Sequence, residues 1–375
     1  MSEAIVVGAG IGGATAAVAL EQRGWQVTML ERAPELGEVG AGISVWPAAV
    51  VVLEGLGVTD VRKTSVEPGP TGLRQPNGHW LVDAGNIGVE TPVMIHRAQL
   101  HDLITARFGT GVAVRTGVTV TAVAQHESGV TMTSTDGEEF RADLVIAADG
   151  IHSAMRSALY PDHPGPRYSG YTAYRGVSAV EIADGGGETW GTGLRFGHVP
   201  LVDGRIYWYA TANQPRDKQA GPGGDHGDVT NLFGDWHDPI PAILAATPKE
   251  AVLHNDLLDL PLPLAPFVSG RVVLLGDAAH AMTPNLGQGA CSAIEDAGAL
   301  SRHLHEAPDL ATALSRYDAE RRPATAKLIK RSRLMGSFGQ VENGLVRGLR
   351  DGLLGLAGRV AGFSARRRRV EQSRR

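Results

Sequence analysis

The sequence predicts an α/β protein built on a buried parallel sheet, with a second, mainly antiparallel region inserted into it. Three observations support this fold class. A strand, a helix and a strand follow one another within residues 4–31; the stretch 167–264 consists of aromatic, strand-like segments between Gly, Pro and Asp loops; and a buried strand returns at 271–275. Because 375 residues exceed what one core usually supports, we expect two interleaved domains.

The first unit has the order of a Rossmann-like βαβ motif. Ala4–Val7 is a short apolar run typical of a buried parallel strand. A glycine-rich loop, Gly8–Gly13, leads into the helical stretch Ala14–Arg23, and Gln26–Leu30 forms a second strand that ends at Glu31.

Each glycine of this loop has a physical reason to be there. Gly8 permits the tight turn, Gly10 lets the backbone approach a pyrophosphate, and Gly12 or Gly13 lets the helix pack closely on the strand. The helix N-terminus offers N–H groups and partial positive charge to phosphates. Glu31 can accept hydrogen bonds from ribose hydroxyls. A glycine loop alone also occurs as a plain turn, but this ordered unit predicts dinucleotide binding without distinguishing FAD from NAD.

The remaining elements complete the predicted architecture. We expect helices from Pro47, over Arg97–Phe108, after Gly287 and over Leu310–Leu334, and strands at Val112–Val114, Val118–Gln125, Val130–Thr133 and 143–148. The nucleotide domain is expected to comprise residues 1–70, 91–166 and 268–335, and the inserted domain residues 71–90 and 167–267. A C-terminal helix and basic tail would occupy 336–375.

Two later turns suggest a family. Asp149-Gly150 and Gly276-Asp277 each follow a buried strand, and the segment Gly276–Gly289 reads GDAAHAMTPNLGQG. With the first glycine loop, these elements resemble the class A FAD-dependent aromatic hydroxylases, the para-hydroxybenzoate hydroxylase-like family. Further likeness lies in Gly42–Pro47, His96–Leu100 and Tyr317–Pro323, so the resemblance extends to about residue 335. It implies a Rossmann-like FAD-binding domain with an inserted, mainly antiparallel substrate domain.

The resemblance also implies which residues bind FAD. Asp277 would contact the ribityl chain, and the Pro284–Gly289 loop would lie along the isoalloxazine with the next helix pointing at its N1/C2=O edge. Arg97 would contact the ribose or pyrophosphate. The alternatives without a role in cofactor binding are that Asp277 caps a helix and that Arg97 is a surface residue. The full implied set is Gly8, Gly10, Gly12, Gly13, Glu31, Arg32, Ser44, Arg97, Val120, Asp149, Asp277, Pro284, Gly287, Gln288, Gly289 and Ala290.

The chemistry implied by the resemblance is monooxygenation. NADH or NADPH would reduce FAD, O₂ would form a flavin C4a-hydroperoxide, and a small aromatic or heteroaromatic substrate would be hydroxylated. A single strand-associated glycine motif fits transient binding of the reductant. Epoxidation, or another FAD oxidoreductase reaction, is the alternative.

Candidate substrate residues lie in the inserted region. If the segments carrying Arg195 and Tyr207 pair as a hairpin, both side chains could face the flavin, the arginine holding an anionic ring and the tyrosine deprotonating or orienting a phenol. His198 is an alternative base, and Arg175 would lie near the flavin's reactive edge. Each has a structural alternative: an ion pair for Arg195, sheet packing for Tyr207 and an edge position for His198. The Arg195/Tyr207 spacing also resembles urate hydroxylases, but those carry an asparagine where this chain has Ala173, so urate is not favoured.

Charge, cysteine content and hydropathy narrow the possible classes of protein and site. The net charge of −5 gives no nucleic-acid footprint, and the single cysteine, Cys291, excludes an internal disulfide. No apolar run reaches membrane-spanning length, so we expect a cytoplasmic protein without an integral membrane segment. The histidines show no metal-ligand spacing. We expect 366–375 to be a disordered, solvated tail; contact of this basic segment and Leu345–Phe363 with anionic lipid is the alternative.

Overall fold

The computed structural model describes residues 2–37, 42–67, 72–83, 91–182 and 185–372, with side chains described as far as Gly358. The predicted Gly-rich segment 37–44 lies partly outside these ranges. In chain order the strands are β1 (Glu3–Val7), β2 (Gln26–Glu31), β3 (Gly42–Val45), β4 (Leu73–Arg74), β5 (Trp80–Val82), β6 (Val93–His96), β7 (Val112–Thr116), β8 (Val120–His126), β9 (Gly129–Ser134), β10 (Glu139–Ala142), β11 (Leu144–Ala147), β12 (Arg167–Ser178), β13 (Gly187–Trp190), β14 (Leu194–Pro200), β15 (Ile206–Asn213), β16 (Leu253–Asp259), β17 (Val268–Ser269) and β18 (Val272–Leu274). The α-helices are α1 (Ile11–Glu21), α2 (Pro47–Gly55), α3 (Arg97–Thr105), α4 (Ala154–Leu159), α5 (Gly224–Phe233), α6 (Ile240–Ala245), α7 (Asp277–His280), α8 (Gly289–Glu306), α9 (Leu310–Gly339) and α10 (Gly344–Gln372).

The first sheet has the order β17-β18-β11-β1-β2-β7. All its pairs are parallel except β17 with β18. Its central strands are continuous Val, Ile, Leu and Ala runs because both faces are covered, and α1 packs between this sheet and α8. In register, Val7 lies beside Ala147, and Ala147 beside Leu274. The carboxyl ends of β1, β11 and β18 therefore meet at one edge, the usual ligand edge of such a sheet.

The second large sheet has seven strands in the order β16-β12-β15-β14-β13-β4-β5. The long pairings β12–β15 and β14–β15 are antiparallel. One face is covered by α5 and α6, whose Phe233 and Ile243 pack with Phe196 and Trp208 of the sheet. The predicted combination of a Rossmann-like parallel sheet with an inserted antiparallel sheet is confirmed.

Three differences from the sequence predictions concern helices. α5 and α6 were not predicted: α5 begins at Gly224, inside a segment that its Gly, Pro and Asp content marked as loop. α9 continues past Leu334 to Gly339, so the expected boundary at residue 335 falls within one helix. α10 continues to Gln372, which corrects the prediction of a disordered tail up to that residue. The domain boundaries remain predictions.

Within the described ranges, no helix combines the length and apolar character needed to cross a bilayer.

Candidate functional site

The glycine turn after β1 is as tight as its sequence predicts. Gly8 has φ +96°, and a Cβ there would overlap the carbonyl oxygen of Ala148. A Cβ at Gly13 would overlap the carbonyl oxygen of Gly8, so the first turn of α1 lies directly against the end of β1. Gly10 is the N-cap and has no side chain to cover the N–H groups behind it. These donors therefore face the space beyond the sheet edge, where a phosphate group would fit.

Gly12 has a different neighbour. A Cβ at this position would lie 2.9 Å from side-chain atoms of Leu275 and Ala293. The sequence left open whether Gly12 or Gly13 allows close packing. Both do: Gly13 packs on the β1 turn, whereas Gly12 packs on α8 and the end of β18.

The Glu31 carboxylate shapes the same loop. Its two oxygens accept hydrogen bonds from the backbone N–H groups of Ala9 and Ala33, each at 2.8 Å. On the other side of the loop, the buried His101 ring lies 2.7 Å from the carbonyl oxygen of Ala9 through Nε2. Arg32 is exposed beside this turn. Sequence reasoning missed His101, although it follows Arg97 by four residues and so shares its face of α3.

The second turn brings Asp149 beside the first. Asp149 Oδ2 accepts from the N–H of Met155 at 3.1 Å, whereas Oδ1 is buried without a partner among the described residues. Arg156 is 2% exposed and donates to the carbonyl oxygens of Ile151 and Ala278. Burial lowers the pKa of Arg156, and the carboxylates of Asp149 and Asp277 oppose that effect. Arg156 thus ties the second turn to the third, a role the sequence did not indicate.

The third turn is held from beneath by a buried ionic cluster. Gly276 has φ +62° and donates its N–H to Asp296 Oδ2 at 3.1 Å, while Asp277 is exposed at the start of α7. Asp296 also contacts His280 Nε2 at 2.5 Å and Arg321 Nε at 2.7 Å. Burial opposes ionisation of Asp296, but His280 and Arg321 outweigh it and lower its pKa. This cluster, His280–Asp296–Arg321, fixes the backbone that presents Asp277.

The loop from Pro284 continues this edge towards the second sheet. Pro284 is exposed, Gly287 has φ +61°, and Gln288, Gly289 and Ala290 form the N-cap and first turn of α8.

Ser44 lies against this loop. A Cβ at Gly287 would come within 3.3 Å of Ser44. Cys291 Sγ lies 3.3 Å from the carbonyl oxygen of Ser44 and accepts the N–H of Trp46 at 3.4 Å. Burial raises the pKa of the Cys291 thiol to about 12. The Nε1 of Trp46 is buried without a partner among the described residues. Val120 lies apart from this loop, buried in the main core at the start of β8.

One face of the antiparallel sheet looks towards the Pro284 loop. Directly paired residues share a face, and the pairs Arg195–Thr211 and Val199–Tyr207 place Arg195 and Tyr207 on the same one. The predicted hairpin is therefore formed. The same face includes Ala173, Arg175, Glu188 and Tyr209 through the neighbouring strands. His198 pairs with Trp208, so it lies on the opposite face, under α5 and α6. That placement corrects the suggestion that His198 is an alternative base for a substrate beside Arg195.

Arg195 is 3% exposed and every arm of its guanidinium has a partner. Nε and Nη2 contact Glu188 Oε1 at 2.8 and 2.5 Å, and Nη1 donates to Asn285 Oδ1 at 2.7 Å. Burial works against the charge of Arg195, but Glu188, Tyr209 and Tyr171 outweigh it and raise its pKa. The ion-pair alternative from the sequence is thus present. The arginine also reaches the Pro284 loop directly through Asn285.

The two tyrosines line the rest of this face. Tyr207 is 7% exposed, packs with Met94 and Leu201, and forms a hydrogen bond with Arg175. Burial raises its pKa, with Arg175 and Arg97 opposing. Tyr209 bonds to Glu188, and burial followed by that carboxylate raises its pKa as well. Both phenols are therefore protonated near neutral pH and act as donors. Sequence reasoning missed Glu188, Tyr209 and Asn285.

The site fits FAD on three structural observations. The absence of a Cβ at Gly8 and Gly13 lets the end of β1, the second turn and the first turn of α1 pack directly on one another, which leaves the N-terminal N–H groups of α1 at the sheet edge. Asp149 Oδ1 and Trp46 Nε1 are buried polar atoms that have no hydrogen-bond partner among the described residues, so a bound cofactor could supply one. The N-termini of α1 and α8 both lie at this edge, where their N–H groups can bind negatively charged groups. Among the described residues, no group of His, Cys, Asp and Glu is arranged to hold a metal ion.

Comparisons with known proteins agree with this geometry. Residues 1–180 and 263–332 match the family model for the FAD binding domain. The chain is 40% identical over 363 residues to an aurachin C monooxygenase/isomerase of Stigmatella aurantiaca, covering 93% of each chain. It is 34% identical over 346 residues to a FAD-dependent urate hydroxylase of Klebsiella pneumoniae, covering 88% of each. A crystal structure of Klebsiella pneumoniae HpxO with FAD and uric acid superposes with a TM-score of 0.86 at 30% identity, covering 97% of this chain and 96% of that one.

Proposed function

The chain belongs to the FAD-dependent monooxygenases of the para-hydroxybenzoate hydroxylase-like family, and on that premise we propose that it hydroxylates an aromatic or heteroaromatic ring that carries no negative charge beside Arg195. FAD, reduced by NADH or NADPH, supplies the oxygen-activating chemistry when bound. The protein's own tasks are to hold the cofactor, orient the ring and exclude water.

The residues proposed to hold FAD are those of the three turns. The N–H groups behind Gly10 would bind the pyrophosphate, Glu31 the adenosine ribose, and Asp277 the ribityl chain. The Gly287–Ala290 backbone and the N-terminus of α8 would stabilise negative charge on the ring system. Arg97 lies at the start of α3, on the same side as His101, and would contact the ribose or pyrophosphate.

The proposal about substrate charge rests on the ion pair between Arg195 and Glu188. A carboxylate ring would need a cation without a counterion, but the Arg195 guanidinium is already paired with the Glu188 carboxylate and bonded to Asn285. An uncharged ring avoids competition with Glu188. The apolar cluster of Met94, Leu201 and Tyr207 lies on the same side of the sheet and suits such a ring. Ala173 adds no polar group, which also disfavours urate.

Tyr207, which is protonated, determines how the ring is oriented. With its pKa raised, Tyr207 would donate a hydrogen bond to an acceptor on the substrate rather than remove its proton, whereas the single O–H of Tyr209 is already donated to Glu188. Tyr207 is additionally bonded to Arg175, which would keep its hydroxyl in place beside the substrate. We therefore assign Tyr207 an orienting role.

Two measurements on the FAD-loaded enzyme test the function. Ring compounds are screened for stimulation of NAD(P)H oxidation, and the product is analysed after reaction under ¹⁸O₂. One labelled oxygen atom in the product is expected. If no ring compound stimulates oxidation and no product acquires the label, hydroxylation is wrong.

The charge of the substrate is tested separately by binding. Dissociation constants of a neutral ring and its carboxylate analogue are measured from flavin absorbance changes. The wild type is expected to prefer the neutral ring. Glu188→Gln leaves Arg195 without its counterion and should tighten carboxylate binding by roughly ten-fold, about 1.4 kcal/mol. Glu138→Gln, in an exposed pair with Arg115, is the control and should change neither constant. Tighter binding of the carboxylate by the wild type would refute the charge argument while leaving hydroxylation intact.

A further inference from the structure

The C-terminal helix α10 carries a line of exposed leucines. Leu345, Leu349, Leu353 and Leu356 are 88, 66, 55 and 61% exposed. Their spacing of four, four and three residues places them along one face of a helix. We call this face the leucine stripe.

The opposite face of α10 is anchored to the protein. Arg350 is 2% exposed and donates to the carbonyl oxygens of Phe338 and Gly339. Asp351 accepts from Gln75, and Gly358 lies on the backbone of β5. The helix is thus fixed in rotation, and the leucine stripe faces away from the protein.

No charged group shares the exposed face between Gly344 and Gly358. The charged residues in this stretch are Arg347, Arg350 and Asp351, and each has a partner within the protein. A solvated surface helix normally turns its polar residues outward. Single exposed leucines are ordinary, but an aligned series marks an interaction surface.

The sequence that follows the leucine stripe is strongly basic. Residues 359–375 contain seven arginines and one glutamate. An apolar helical face joined to a cationic segment is the composition of a helix that lies in a membrane interface. A bilayer containing anionic lipid complements both features. A second copy of the chain complements only the leucines and adds like charges.

We propose that α10 docks this enzyme on the surface of an anionic lipid bilayer, with the leucine stripe at the acyl boundary and the arginines beside lipid phosphates. The docked helix would adjoin the candidate substrate site. Arg350 of α10 and Arg195 of the site contact the same Trp190 ring, at 5.3 and 5.2 Å from its centroid. Docking would therefore hold the substrate sheet near the bilayer, but it does not depend on the proposed reaction.

Sedimentation with vesicles tests the proposal on the full-length, FAD-loaded protein. Vesicles of phosphatidylcholine alone are compared with vesicles that also contain phosphatidylglycerol, at low and high salt. Binding is expected to the anionic vesicles and to weaken with salt. Arg366→Gln, Arg367→Gln, Arg368→Gln and Arg369→Gln combined should weaken it by about 100-fold or more, at roughly five-fold per arginine.

A second variant tests the leucine stripe. Leu349→Gln with Leu353→Gln should weaken binding by roughly ten-fold per leucine, without lowering the melting temperature, because both side chains are exposed. Val51→Gln is the matched control, since Val51 is 63% exposed on α2, and should bind vesicles like the wild type. Failure of the wild type to bind anionic vesicles overturns the proposal. So does a dimer, seen by light scattering, that the leucine variant dissociates without any vesicle binding, since a second copy would then cover the stripe.

Discussion

The buried carboxylate of Asp296 gives the most decisive test of how the third turn, which we propose to bind FAD, is held in place. Asp296→Asn keeps the side-chain shape but removes the charge that faces His280 and Arg321. The amide has one oxygen, so its NH₂ group must face at least one of the three donors now bound by Asp296. Removing one partner of a buried ion pair costs about 3–5 kcal/mol, and an unsatisfied donor alone costs about 1–3 kcal/mol. We therefore expect a loss of at least about 3 kcal/mol.

The assay is thermal unfolding followed by circular dichroism, with and without FAD. At roughly 2 °C per kcal/mol for a large domain, the midpoint should fall by about 6 °C or more. FAD should also bind more weakly, because the N–H of Gly276 loses its carboxylate acceptor and the turn that presents Asp277 loosens. Asp60→Asn, which breaks an exposed pair with Lys63, is the control and should cost at most about 1 kcal/mol.

The pH dependence supplies an independent check. The folded-state pKa of Asp296 is lowered, so its contribution is present above the unfolded pKa near 3.8 and is lost as pH falls through the folded value. The difference in stability between wild type and Asp296→Asn should thus shrink as the pH falls below about 4. A variant that melts with the wild type at pH 7 would refute the claim that this cluster supports the turn.

Three further predictions follow from single contacts. Gly13→Ala must push α1 away from the carbonyl oxygen of Gly8. FAD binding, measured by fluorescence titration, should weaken at least about ten-fold, because one charge-assisted hydrogen bond is worth about 1.5–3 kcal/mol. Gly55→Ala is the control: no atom lies within 4 Å of the Cβ it would add, and FAD affinity should stay unchanged. Asn285→Ala should increase the NAD(P)H consumed per product formed, because the Pro284 loop, which we propose to lie beside the flavin, loses its contact with β14. The two amounts are compared in one reaction, and unchanged coupling would contradict that link. The pKa of Cys291 is raised to about 12, so little of the reactive thiolate is present at pH 8. Cys291 should therefore react with Ellman's reagent at least about 1,000-fold more slowly in the native protein than after unfolding. Comparable rates would show that the thiol is accessible.

The parallel sheet and its turns could be predicted because their signals are local. β1, the glycine loop and α1 follow one another within about twenty residues, and each glycine has a steric reason that the sequence already implies. The three turns meet because neighbouring parallel strands end at one edge. The placement of His198 could also have been predicted: it is three positions from Arg195, and an odd separation puts two residues of a strand on opposite faces.

The side-chain partners could not be predicted, because they depend on register and on contacts between distant elements. Glu188 meets Arg195 only because β13 and β14 pair with Glu188 opposite Gly197. Asp296 is an aspartate in the middle of α8, where an exposed position would be the default reading. α5 was missed because its Gly and Asp residues favour turns, and only its packing against the sheet stabilises it as a helix.

The contacts of Asn285 explain why an arginine is needed at position 195. Asn285 Oδ1 accepts from Arg195, and its NH₂ group lies 2.8–2.9 Å from acceptors on Tyr171, Thr283 and Ser332. The Pro284 loop is therefore fixed from β14, β12 and α9 at once. A planar guanidinium can bond to Glu188 through two nitrogens and still direct the third at Asn285, whereas a lysine ammonium is a point charge that cannot hold both directions. The same pairing with Glu188 that neutralises the pocket also sets the guanidinium plane, so the charge of the site and the position of the loop depend on one interaction.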